Sequence, residues 1–177
     1  MTEDKFLELV QEHQAQIYQY TLYLLGNRED AEDITQETFI KAWEHRAKLR
    51  LNTVRSWLLK CAQNLCFNLL KRRKFQEPLA EGDEAELEML LHRHTHRSNP
   101  LPDELVIKQE LKASVHDAIN KLSPEMRSVV IMRELEGMSF KEIAEVLDQP
   151  EGSVKSTVFR ARKRLRELLS SYWRNNE

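Results

Sequence analysis

The stretch Ser139-Phe140-Lys141-Glu142-Ile143-Ala144-Glu145-Val146-Leu147-Asp148-Gln149-Pro150-Glu151-Gly152-Ser153 decides the fold class of this chain. Ser139 with Glu142 three residues on is a capping box: the hydroxyl takes one orphan amide of a helix start and the carboxylate takes another. Ile143, Ala144, Val146 and Leu147 supply the apolar face of a helix of about two turns. Asp148 to Gly152 is turn chemistry, and a longer helix opens near Ser153. A short supporting helix, a tight turn and a second helix form a helix-turn-helix, whose second helix can enter a major groove. In that helix Val154, Val158, Ala161, Leu165 and Leu168 follow at spacings of 4, 3, 4 and 3, a buried stripe. Lys155, Ser156, Phe159, Arg160 and Lys163 are left facing outward. Base contacts are expected from Lys155 and Arg160, and phosphate contacts from Arg162 and Arg164 further along. A helix-turn-helix by itself means only that the chain binds DNA, as a repressor does and as other regulators do.

Upstream of it, Ser123-Pro124 is a cap followed by proline at the first helical position, and Gly137 ends that helix. Asp103 caps a preceding helix through about Leu122, with Leu105, Leu111, Val115 and Ile119 periodic. At the other end of the chain, Phe6, Leu9, Val10, His13, Ile17 and Leu24 recur at helical spacing up to the stop signal Gly26-Asn27. A second helix runs from about Glu29 to Lys48, with Ile34, Phe39 and Trp43 on its apolar face. A third, capped by Asn52 or Thr53, reaches about Phe75 and turns Trp57, Leu58, Cys61, Leu65 and Leu69 inward. From Gln76 to Asp103 the pattern breaks at Pro78, Gly82, Pro100 and Pro102, which is linker composition. The expectation is an all-α protein of two small helical domains, residues 1–75 and 104–174, joined by a flexible linker over 76–103.

The chain has 177 residues, 41% of them apolar and 32% charged, with only 4 Gly and 5 Pro. That composition suits a soluble globular protein and leaves little room for the turns of an all-β fold. No apolar run is long enough for a membrane span, and Met1 to Lys5 lacks a signal-peptide pattern, so a cytoplasmic location is expected. Cys61 and Cys66 lie five apart on a helix, about 140° around its axis, too divergent for a disulfide and in keeping with a reducing compartment.

The net charge of −2 argues against nucleic acid until the charges are mapped. Residues 51–76 hold six bases (Arg55, Lys60, Lys71, Arg72, Arg73, Lys74) and no acid, and residues 151–174 hold seven bases against two acids. Phosphate responds to local potential, so two separate basic segments outweigh the total. Lys60, Asn64, Asn68 and Lys71 share one face of the third helix, where amides can read an unpaired base and lysines can hold the strand. Trp57 could stack on such a base, but its place in the apolar pattern favours core packing. There is no glycine-rich phosphate loop and no Ser/His/Asp or Cys/His motif, so no enzyme is expected. His92, His94 and His96 read as solvated side chains, since Arg93 and Arg97 oppose a cation there and no cysteine is near.

Residues 27–43, Asn27-Arg28-Glu29-Asp30-Ala31-Glu32-Asp33-Ile34-Thr35-Gln36-Glu37-Thr38-Phe39-Ile40-Lys41-Ala42-Trp43, closely resemble the polymerase-binding region of the extracytoplasmic-function (ECF) sigma factors. Trp57 to Asn64 and Lys71 to Lys74 resemble that family's −10 region. Leu122 to Arg127, Glu142 to Leu147 and Gly152 to Ser156 resemble its −35 region. The resemblance covers both domains in order and fails only in the linker. It implies a bacterial alternative sigma factor, without cofactor or metal, that binds core RNA polymerase, recognises −10 and −35 promoter elements and promotes melting. It implies that Asp33, Gln36, Glu37 and Ile40 dock on the β′ clamp helices, with the β flap as a further contact. It assigns Arg55, Lys60, Asn64, Asn68, Lys71, Arg72 and Arg73 to −10 DNA. Ser153, Lys155, Ser156, Phe159, Arg160, Arg162 and Arg164 go to −35 DNA. It further implies an anti-sigma partner, commonly one that wedges between the domains. Asn68 stands where many relatives carry an acid, and Thr157 where they often carry Arg, so the promoter sequence does not transfer. A stand-alone helix-turn-helix regulator would not need the acid-free third helix, and an anti-sigma or other protein-only adaptor would leave both basic helices unexplained.

Overall fold

A computed structural model describes residues 2–76 and 113–175, and every described element is helical. Helix α1 spans Glu3–Leu25 and ends where Gly26 takes a left-handed φ of 67° that lets its amide reach the Leu22 carbonyl at 2.8 Å. Asn27 then accepts the Asp30 amide at 3.0 Å and starts α2, Arg28–Glu44, whose first turn carries Glu29 and Asp30 at the positive end of the helix dipole. Turns over 45–53 lead to α3, Val54–Gln76. The second helix therefore stops at Glu44, four residues short of the expected Lys48. At its end the His45 amide closes on the Lys41 carbonyl and Arg46 lies over the Trp43 ring.

In the second half, α4 covers 113–120, and α5 covers Pro124–Val130 and continues as a π-helical turn over Ile131–Leu135. Ser123 accepts the Met126 amide, as the Ser-Pro start predicts, and Gly137 ends the run at a φ of 64°. Helix α6 is Phe140–Leu147 and α7 is Glu151–Asn175. The linker span after Gln76, the expected cap at Asp103 and the three histidines at 92, 94 and 96 lie outside the described residues.

Helices α1, α2 and α3 pack on one another, as do α5, α6 and α7. The sequence reading gives each half its own core. In the structure one apolar cluster runs from Phe6, Ile17 and Leu58 of the first half to Ile131, Met132, Ile143 and Val154 of the second. A smaller cluster of Leu122, Val130 and Ala161 sits beside it.

This joint core changes which side of α3 is buried. Leu58, Leu59, Ala62 and Cys66 are sealed, whereas Trp57, Cys61, Leu65 and Leu69 of the expected inward face are half-buried. Helix α3 is covered by α1 and α2 and also by α6, so its protected arc is wider and differently centred than one three-helix core requires. Trp57 instead lies against the His45 ring, centroids 5.8 Å apart. Burial pushes the Cys66 thiol up to about 12 and also raises Cys61, which leaves both as protonated packing groups. In α4 the covered residues are Ser114, Ala118 and Ile119, while Val115 is exposed. Among the described residues no helix is long and apolar enough to cross a membrane.

Candidate nucleic-acid and protein interfaces

The helix-turn-helix forms through local bonds. Ser139 accepts the Glu142 amide at 3.2 Å while the Glu142 carboxylate accepts the Ser139 amide at 2.7 Å. That backbone hydrogen bond holds the Glu142 carboxyl below its ordinary value. Asp148 closes α6 at a left-handed φ of 50°, a conformation aspartate tolerates. The Pro150 carbonyl accepts the amides of Ser153 and Val154, so α7 starts at Glu151, two residues ahead of the expected start.

Val154, Val158 and Ala161 are at most 1% exposed, and Leu165 and Leu168 are half-buried. That stripe turns Ser153, Lys155, Ser156, Phe159, Arg160, Arg162, Lys163 and Arg164 to the outside. They are not equally available. Lys155 pairs with Glu151 at 2.7 Å, Arg162 donates to Glu134 and Arg164 pairs with Glu167 at 3.3 Å. The Ser156 hydroxyl donates to the Gly152 carbonyl. Arg160 makes a 3.3 Å contact to the Thr157 hydroxyl, and Phe159 is 65% exposed.

On α3, Asn64, Asn68, Lys71 and Arg72 are exposed, as the helical spacing requires. Arg73 is drawn back to Asp30 at 2.7 Å. Arg55 and Lys60 meet the second half: Arg55 donates to the Glu136 carbonyl at 2.8 Å, and Lys60 pairs with Asp148.

On α2, Asp33, Gln36, Glu37 and Ile40 are all exposed and fall within two turns of one face. Ile40 borders a groove of about 440 Å³ lined also by Phe6, Val10, Gln36, Phe39 and Trp43. An acidic edge beside an apolar groove suits a basic helical partner.

The sequence reading missed the residues that join the halves. Arg127, half-buried, donates to the Leu24 carbonyl of α1 at 2.6 Å and to the Ile119, Asn120 and Leu122 carbonyls of its own half. Burial lowers its pKa from the ordinary value. Tyr20 and Ser128 share a buried hydroxyl–hydroxyl bond of 2.9 Å, and burial drives the Tyr20 phenol upward. The Glu136 carboxylate receives the Gln16 amide and lies 3.6 Å from Arg55. The trace in the sequence is slight: Tyr20 is a polar-tipped residue on the buried stripe of α1, beside Ile17 and Leu24.

The family model for Sigma-70 region 2 matches residues 9–76 and that for Sigma-70, region 4 matches residues 112–165. The ECF RNA polymerase sigma factor SigW of Bacillus subtilis is 31% identical over 171 residues, which are 94% of this chain and 90% of that protein. The chain belongs to the ECF sigma factors. This sigma factor is also 31% identical to SigE of Mycolicibacterium smegmatis, with 93% of the chain aligned and 62% of that longer protein covered. In fold it resembles the sigma factor RpoE of Bartonella quintana, solved with the anti-sigma factor NepR, at a TM-score of 0.68 and 22% identity over 94% of this chain and 97% of that one. It likewise resembles CnrH, solved with the cytosolic domain of CnrY, at a TM-score of 0.67 and 23% identity over 96% of this chain and 90% of that one. Its place is therefore that of an alternative sigma factor in bacterial transcription initiation.

Proposed function

We propose that this sigma factor directs core RNA polymerase to promoters, opening the −10 element against α3 and reading the −35 element with α7. The observation that carries the reading is the division of each basic helix into a sealed apolar side and an exposed polar one. On α7, Phe159 and Arg160 project between Lys155 and Lys163, a pairing that suits a thymine methyl beside a guanine edge or phosphate. On α3, the exposed Asn64 and Asn68 sit above Lys71 and Arg72, amides for a base edge and cations for the strand.

The α2 face of Asp33, Gln36, Glu37 and Ile40 docks on the β′ clamp helices, and the second half meets the β flap. The protein works in the cytoplasm as a binding subunit and leaves the chemistry of RNA synthesis to the polymerase. An anti-sigma factor is a further partner, as NepR is for RpoE in their solved complex. Run-off transcription with core polymerase, with and without this chain, tests the reading. Discrete promoter-dependent transcripts should require the chain; specific duplex binding by the free protein with no effect on core polymerase would point to a stand-alone regulator.

A further inference from the structure

Three arginines on the outer side of α7 are steered in different directions by their partners. Arg162 donates across to Glu134 in the π-helical turn of α5, and Arg164 pairs with Glu167 one turn toward the C-terminus. Each of these carboxylates offsets the charge that it holds. Arg160 bends the other way, back along the helix, where its Nη2 donates to the Thr157 hydroxyl at 3.3 Å. That hydroxyl carries no charge, so the guanidinium keeps its full cation.

The direction follows from helix geometry and from the chemistry of one hydroxyl. Long side chains on a helix lie over the turn that precedes them, so an acceptor three positions back is within reach. Thr157 has a single hydroxyl proton, and the 2.9 Å bond to the Ser153 carbonyl uses it. Toward Arg160 the oxygen can therefore only accept. Ser156 commits its proton to the Gly152 carbonyl in the same way, but the residue three positions after it is Phe159, which has nothing to donate. Thr157 is half-buried beside the sealed stripe of Val154, Val158 and Ala161, and Arg160 is exposed. The chain of Ser153 carbonyl, Thr157 hydroxyl and Arg160 guanidinium runs toward the N-terminal end of α7, the end that a helix-turn-helix sets into a major groove.

We infer that Thr157 is a positioning residue for −35 recognition: its hydroxyl holds the Arg160 guanidinium toward the N-terminal turns of α7, where a guanine edge comes within reach. The inference rests on the reading of α7 as the −35 helix and names a residue that sharpens its selectivity without touching DNA. Arginine has many rotamers, and ordering one such side chain at an interface opposes binding. Thr157 does part of that ordering before DNA arrives. The gain falls on the base pair that Arg160 contacts, since beside a mismatched base the guanidinium finds no bidentate partner and stays unordered. The effect is therefore one of selectivity, with phosphate contacts untouched.

Holoenzyme assembled from core polymerase and the full chain, titrated onto a panel of single-base −35 variants, tests the assignment. Thr157→Val removes the hydroxyl and keeps the shape. Valine and threonine have similar helix propensity, so helix content by circular dichroism should match the parent. The variant should lose roughly two- to tenfold of the discrimination at the base pair that Arg160→Ala relaxes, the effect of ordering one rotamer-rich side chain. Thr157→Ser keeps the acceptor and should restore parental discrimination. In the Arg160→Ala background Thr157→Val should change nothing further, and alone it should leave the salt dependence of binding unaltered. Parental selectivity in Thr157→Val overturns the inference. So does a loss that persists without Arg160, which would put the hydroxyl itself on the DNA, and so does a uniform loss over all sequences. Failure of the α7 reading looks different. Arg160→Ala would then leave affinity and selectivity unchanged, and the role of Thr157 would fall with that reading.

Discussion

The Tyr20 and Ser128 hydroxyls lie 2.9 Å apart, 108 positions distant in the chain, and both side chains are at most 1% exposed. A buried hydroxyl left without a partner costs about 1–3 kcal/mol, so this bond selects one way of docking α5 on α1. Tyr20→Phe should lower stability by about 1–2 kcal/mol in urea unfolding followed by circular dichroism. Adding Ser128→Ala should cost less than the sum of the single changes, with a coupling of about 0.5 kcal/mol or more. Strict additivity would mean that the hydroxyls do not meet in solution.

The exposed acids of α2 give a clean test of docking. Asp33→Lys with Glu37→Lys should abolish co-purification with core polymerase and leave the helical circular dichroism spectrum unchanged, because neither side chain enters a core. Undiminished core binding would remove α2 from the polymerase contact.

Asn64 and Asn68 separate melting from recognition, and unlike Lys60 they lie off the contact with the second half. Asn64→Ala with Asn68→Ala should lower open-complex formation on a duplex promoter. A template already mismatched across the −10 bubble should recover part of the loss, since strand separation no longer has to be driven. Equal loss on both templates would show that this face does not act in melting.

On α7, Arg160 makes, among the described residues, a 3.3 Å contact to Thr157, whereas Arg162 is held by Glu134. Arg160→Ala should cost roughly 1–3 kcal/mol on the preferred −35 element and relax selectivity at one base pair. Arg162→Ala should weaken all sequences alike and make the salt dependence shallower by about one unit. Holoenzyme binding to a panel of single-base −35 variants reads both. If Arg160→Ala changes neither affinity nor selectivity, α7 does not read DNA in this register.

By itself the sequence determined whatever acts within a turn or two of helix. Ser139 with Glu142, Ser123 with Pro124, and Gly26 with Asn27 mark helix ends through bonds spanning at most four residues, so composition at those positions suffices. The same holds for Val154, Val158 and Ala161, whose spacing orients α7 once any neighbour covers that side. It holds again for the exposed line from Asp33 to Ile40. Only the tertiary structure decided the side of α3 that is sealed, because α6 adds a cover that three-helix periodicity does not contain. In the sequence Arg127 is the last residue of a stretch that resembles the −35 region, with no partner indicated. It becomes a joint between halves because four carbonyl groups, at Leu24, Ile119, Asn120 and Leu122, converge on it. Likewise Glu136 and Asp148 are helix-end acids until docking sets them on Arg55 and Lys60. Such pairings join positions 81 and 88 residues apart, and no local propensity encodes a partner at that range.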